Sequence, residues 1–217
     1  MLLFKRGFYI RSLLVTVLGL LTVTASLDAN QPSDPYEFVK QVASATFNRM
    51  KKDQALINEN RNELKIIVEQ ELMPHVDHNY SALFVLGNNV KTLPKDKIEE
   101  FSEVFKDYLM ATYAISLGYY NNQMVEFEPT KPYDGKKLVS IKALIKEAGR
   151  KNINVIFQVR QNKMGQWKAI DMTAEGVSVI QTKRAEFTPM IRQIGIDSVI
   201  ALMKEKSDKP LENKPKR

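Results

Sequence analysis

Apolar and polar positions fall into three regimes: helical spacing up to about residue 120, alternation from 124 to 174, and helical spacing again after 178. In the first regime Asp34, Pro35 and Glu37 supply a cap, a first-turn proline and an acid three residues after the cap. They predict a helix over residues 35–50, with Phe38, Val42 and Ala45 on one face. Residues 51–60 are polar and read as a link. A second helix, 62–72, carries Leu64, Ile67, Val68 and Leu72 and is stopped by Pro74. Asp77 can cap a third, short helix with Leu83, Phe84 and Leu86, ending at Gly87. The longest helix, about 94–120, would be roughly 40 Å long at 1.5 Å per residue. Its apolar stripe widens into a cluster of Tyr108, Tyr113, Tyr119 and Tyr120. Tyrosine joins an apolar body to a polar tip, which suits a boundary between a greasy interior and water.

The alternating regime predicts four strands, 124–128, 138–145, 153–160 and 167–175, joined by short turns at 133–136, 148–150 and 162–166. In the last strand Ile170, Met172 and Ala174 share one side, and Asp171, Thr173 and Glu175 the other. Gly176 breaks the alternation, and Ser178 with Gln181 reads as a helix cap. A helix from there to about Ile194, a stop at Gly195 and a last helix over 197–206 complete the pattern. Short connections imply an antiparallel meander with one covered face. The expectation is one α+β domain, residues 30–206, with a charged, disordered tail at 207–217.

Composition is that of an ordinary globular chain, 44% hydrophobic and 26% charged. The absence of cysteine excludes disulfides and thiolate metal or redox sites. At the amino end Lys5, Arg6 and Arg11 precede a short apolar stretch, 12–25, followed by small residues. That is the pattern of a cleavable secretory signal, with cut sites after Ala25 or, preferably, Ala29. The stretch is shorter than the roughly 20 apolar residues a membrane span needs. Removing residues 1–29 takes away three basic residues and Asp28. It leaves 29 basic and 24 acidic side chains, a net +5. A basic exported protein is attracted to anionic lipid surfaces. Export and the lack of a basic–aromatic motif argue against nucleic acid.

Catalytic signatures are mostly missing: no G-x-x-x-x-G-K-S/T loop, G-x-S-x-G elbow or H-E-x-x-H occurs. His75, Asp77 and His78 form a weak metal pattern and read as solvated loop residues. Asp171 and Glu175 share a strand face and could serve acid–base chemistry if one were buried beside a tyrosine. Large apolar residues on both layers and nine methionines leave a binding cavity or a filled core as the alternatives.

Several segments together resemble the MlaC family of toluene-tolerance or periplasmic phospholipid-binding proteins. They are W-K-A-I-D-M-T-A-E-G-V-S at 167–178, E-L-M-P-H-V-D at 71–77, V-L-G at 85–87, F-S-E-V-F-K-D-Y-L at 101–109 followed by Tyr113, and G-I-D-S-V-I at 195–200. Val90 departs from the family pattern, where an aromatic is common. The resemblance implies an NTF2-like or cystatin-like fold, helices on a curved four-stranded antiparallel sheet enclosing an apolar cavity for phospholipid acyl chains. It implies neither enzymatic activity nor a cofactor, and a monomeric shuttle. The partners would be an outer-membrane lipoprotein–porin complex and an inner-membrane ABC transporter with an MCE-domain subunit. The expected lining is Tyr108, Leu109, Tyr113 and Leu117 on the long helix and Val139, Ile141, Val155, Phe157, Val159, Ile170 and Met172 on the strands. Val177 at the corner completes it. A fold-related enzyme acting on a small apolar substrate is the alternative.

Overall fold

The computed structural model describes residues 33–146, 149 and 151–212. The expected signal, 1–29, and the last five residues lie outside them. Asp34 accepts hydrogen bonds from the backbone N–H groups of Tyr36 (2.8 Å) and Glu37 (3.0 Å), so α1 (Pro35–Lys52) starts where its cap predicts. α2 (Gln54–Glu59) occupies the stretch read as a link; Ile57 is its one buried residue, too little to leave a periodic signal. α3 (Glu63–Ile67) passes into a π turn, Val68–Leu72, before a short turn carries Pro74. α4 (His78–Leu86) is capped by Asp77, and α5 (Lys95–Leu117) is the long helix.

The sheet has five antiparallel strands in sequence order: β1 (Met124–Phe127), β2 (Leu138–Lys146), β3 (Ile153–Gln161), β4 (Trp167–Ala174) and β5 (Val177–Ser178). The fold class is the expected α+β arrangement with one strand more than the four counted from sequence. That strand exists because Glu175 (φ +47°) and Gly176 (φ +82°) form a two-residue turn that pairs Ala174 with Val177. α6 (Val179–Ile194) and α7 (Ile196–Asp208) follow. Order does not stop at 206. Lys65 Nζ donates to the carbonyls of Ser207 (2.6 Å) and Lys209 (2.9 Å), and Leu211 N donates to Asn62 Oδ1 (3.0 Å). Residues 207–212, the described part of the expected tail, therefore lie against α3.

Three apolar clusters hold these elements. α4–α7 pack around Phe101, Phe105, Leu109, Phe187 and Met203. α1 lays Tyr36, Phe38 and Val39 on Val139, Ile141, Val159 and Trp167 of the sheet. The far end of α1, α3, the π turn and the last turns of α5 meet at Met50, Leu64, Ile67, Val68 and Ala114.

Candidate functional site

Between the sheet, α1, the π turn and the last turns of α5 lie two adjoining apolar cavities of about 110 and 290 Å³. Ala43, Leu72, Tyr113, Phe157 and Met172 are common to both walls. α1 fills one end with Phe38 and Val39, then presents the smaller Val42, Ala43 and Thr46 to the space, with Phe47, stacked on Tyr120, beyond them. Native interiors leave few voids larger than a water molecule. An apolar hole of roughly 150 Å³ already stays dry and admits benzene. The larger cavity reaches the surface beside Tyr119 and Ile153, which are 73% and 42% exposed.

The polar groups at these walls are few. Tyr113 lines both cavities, and its hydroxyl has no hydrogen-bond partner among the described residues. Burial, and secondarily the Asp171 carboxylate, push its pKa up, so the phenol stays protonated. Asp171 itself accepts from Ser178 Oγ (2.6 Å) and from the Ile180 backbone N–H (3.1 Å). Its oxygens thereby cap α6. The side chain of Glu175 sits in the β4–β5 turn, where it accepts from Asn154 N and faces Lys151. The two carboxylates thus do not converge on one site. His75 lines the smaller cavity with its ring edge-on to Phe38, and burial lowers its pKa. Among the described residues no three His, Asp or Glu side chains are placed to hold a metal ion.

Of the residues expected to line a cavity, Tyr113, Leu117, Val155, Phe157 and Met172 are on its walls. Val139, Ile141 and Val159 are on the correct sheet face but at the filled end, beneath α1. Tyr108 and Leu109 point into the α4–α7 cluster, Tyr108 with its ring 5.7 Å from that of Phe187. α5 is covered on two sides, and spacing alone does not say by what. Ile170 is removed by a β-bulge. Gln158 pairs with Asp171 and Val159 with Ala169, so Ile170 is the extra residue. Trp167 and Ala169 then share the inner face with Met172 and Ala174, while Ile170 lies beside Tyr80 and Phe84 of α4. Val177 is 61% exposed on the edge strand and lines neither cavity. The wall residues not expected from sequence include the small Ala43, Thr46 and Ala143 and the large Phe47, Leu72 and Tyr120. For Ala43 and Thr46 the signal was two small side chains on an otherwise apolar helix face.

Helices laid over one face of an antiparallel sheet, with apolar space left between the layers, define a two-layer α+β protein. The family model described as MlaC protein matches residues 40–205. The chain belongs to the MlaC family. It is 29% identical over 209 residues, 95% of each chain, to the intermembrane phospholipid transport system binding protein MlaC of Haemophilus influenzae. It is 25% identical over 198 residues to the toluene tolerance protein ttg2D of Pseudomonas putida, covering 89% of this chain and 85% of that one. A solved structure of a phospholipid-binding protein from Ralstonia solanacearum, in complex with a phospholipid, has the same fold. The TM-score is 0.71 at 20% identity, over 80% of this chain and 97% of the other.

Proposed function

We propose that the chain binds a phospholipid by its acyl chains in the paired cavities and carries it through the periplasm. The shuttle would run between an outer-membrane lipoprotein–porin complex and an inner-membrane MCE-domain ABC transporter complex, maintaining outer-membrane lipid asymmetry. The observation that carries this reading is an apolar space of two joined compartments with a mouth at Tyr119 and Ile153. The names of the relatives in Haemophilus and Pseudomonas support it. Burying one CH₂ gains about 0.8 kcal/mol, so a 16-carbon chain represents on the order of 10 kcal/mol. Escape into water is correspondingly slow, and hand-over takes place while the mouth is docked on a partner. No bond is made or broken; ATP hydrolysis belongs to the transporter. The expected secretory segment, 1–29, supplies the route to the periplasm.

Ala43→Trp tests the reading because residue 43 stands where the two cavities join. Delipidated protein is incubated with vesicles containing labelled phospholipid, re-isolated, and its lipid counted. The variant is expected to keep its circular dichroism spectrum and lose most of its lipid. Equal loading of variant and parent would contradict the proposal.

A further inference from the structure

Across the last turn of α5 from the larger cavity lies a second hollow of about 480 Å³ with a different lining: Arg61, Tyr108, Ile115, Tyr119, Lys206 and Lys209. Tyr119 lines both spaces, so the apolar mouth and this basic groove meet at one side chain. Arg61 enters from the loop between α2 and α3 and lies flat against Gly118, where any side chain would collide with its Nη2. Its Nε is closed off from solvent with no partner, and no hydrogen bond or ion pair holds the guanidinium among the described residues. Lys206 and Lys209 reach Glu186 (3.4 Å) and Glu205 (2.9 Å) at the rim, and Glu212 is the carboxylate that lines the groove. Among the lining residues three cations face one carboxylate; with the two rim carboxylates the charges are even, and Arg61 is the cation left without a carboxylate among the described residues.

A guanidinium placed to close a helix would bond the last carbonyls of α5, and Arg61 does not. No described residue accepts from the guanidinium, and a ligand carrying its own oxygens in the groove would offer acceptors to its terminal amino groups. Arginine's planar fork matches a phosphate in two parallel hydrogen bonds. The groove is held in shape from below, because Lys65 and Asn62 pin residues 207–211 against the start of α3.

We propose that Arg61, with Lys206 and Lys209 beside it, forms the subsite for the phosphodiester of the bound lipid, whose acyl chains pass Tyr119 into the apolar cavity. This rests on the cavity being a lipid site and adds to it a side chain that separates charged lipids from neutral ones.

The test compares a phosphatidylglycerol with a diacylglycerol bearing the same two acyl chains, each offered in vesicles to parent, Arg61→Gln and Arg61→Lys. Charge-assisted hydrogen bonds of this kind predict that the parent holds the phospholipid about tenfold to a hundredfold more tightly. Arg61→Gln should erase most of that preference while leaving diacylglycerol binding unchanged, and Arg61→Lys should keep part of it. Circular dichroism checks the fold. An unaltered preference in Arg61→Gln overturns the proposal, as does an equal loss of both lipids in the two variants. Titration with inorganic phosphate alone forms the second arm. Saturation of the Arg61 site without any lipid preference would assign it to a free anion and overturn the proposal. Failure of the parent to take up either lipid would instead bring down the cavity reading beneath it.

Discussion

Ala43 and Thr46 determine the hollow as much as any large residue does, because two more bulky side chains there would continue the packing begun by Phe38 and Val39. Tyr113 faces the same space with a hydroxyl that no described residue satisfies, at a boundary suited to tyrosine. His75 and His78 read as solvated from sequence but are half-buried, and burial lowers both pKa values below the ordinary 6.5. For His75 the charge of Lys168 lowers it further, while Glu71 opposes; for His78 the chief opposing group is Glu103. The unfolded chain therefore binds protons first on acidification. Stability is intact above the unfolded pKa, falls as pH drops below about 6.5, and levels off below the folded pKa. The melting temperature should fall between about pH 7.5 and about 5.5. The fall should be smaller in the double variant His75→Gln, His78→Gln; an identical fall would remove these histidines from the explanation. Single wall residues were legible where a motif coincided with an inner face, as at Tyr113 and Met172, or where strand alternation was clean, as at Phe157. Ala43 was not, because a small side chain on an apolar face looks the same whether it touches a neighbour or leaves a gap.

Among the elements, those with polar punctuation were readable. Asp34, Asp77 and Ser178 cap the helices they were expected to cap. Those without it were not: the six-residue α2, the π turn after α3 and the two-residue β5 offer too few apolar repeats to register. The bulge in β4 had the largest effect. A single extra residue inverts the alternation, and it sent Ile170 outward and Ala169 inward. Next to it, Asp171 reaches from the strand to the Ile180 N–H while Ser178 Oγ takes the Gln181 N–H (2.9 Å), so the first turn of α6 is tied to the sheet. Asp171→Ala should cost about 1–2 kcal/mol, the usual penalty for a lost helix cap, measured by urea unfolding. No loss of stability would show that the strand does not anchor the helix.

Taken together, the described elements divide into a helical block that is solidly packed and a sheet-facing layer that is not. The helical block holds its residues in one cluster with Phe101, Phe105 and Phe187 at the centre. The cavity lies where the other two clusters fail to merge, and α5 links the helical block to one of them. Sequence revealed the layers and their order, since caps and periods are local. It did not reveal how two clusters would meet, which depends on volumes summed over residues far apart. If the proposed function holds, the hollow is occupied by lipid when the protein is purified. Mass spectrometry of an organic extract of the purified protein reads this directly. We predict co-purifying phospholipid in an amount comparable to the protein. Protein that is lipid-free on isolation, and that takes up none from phospholipid vesicles, would contradict it.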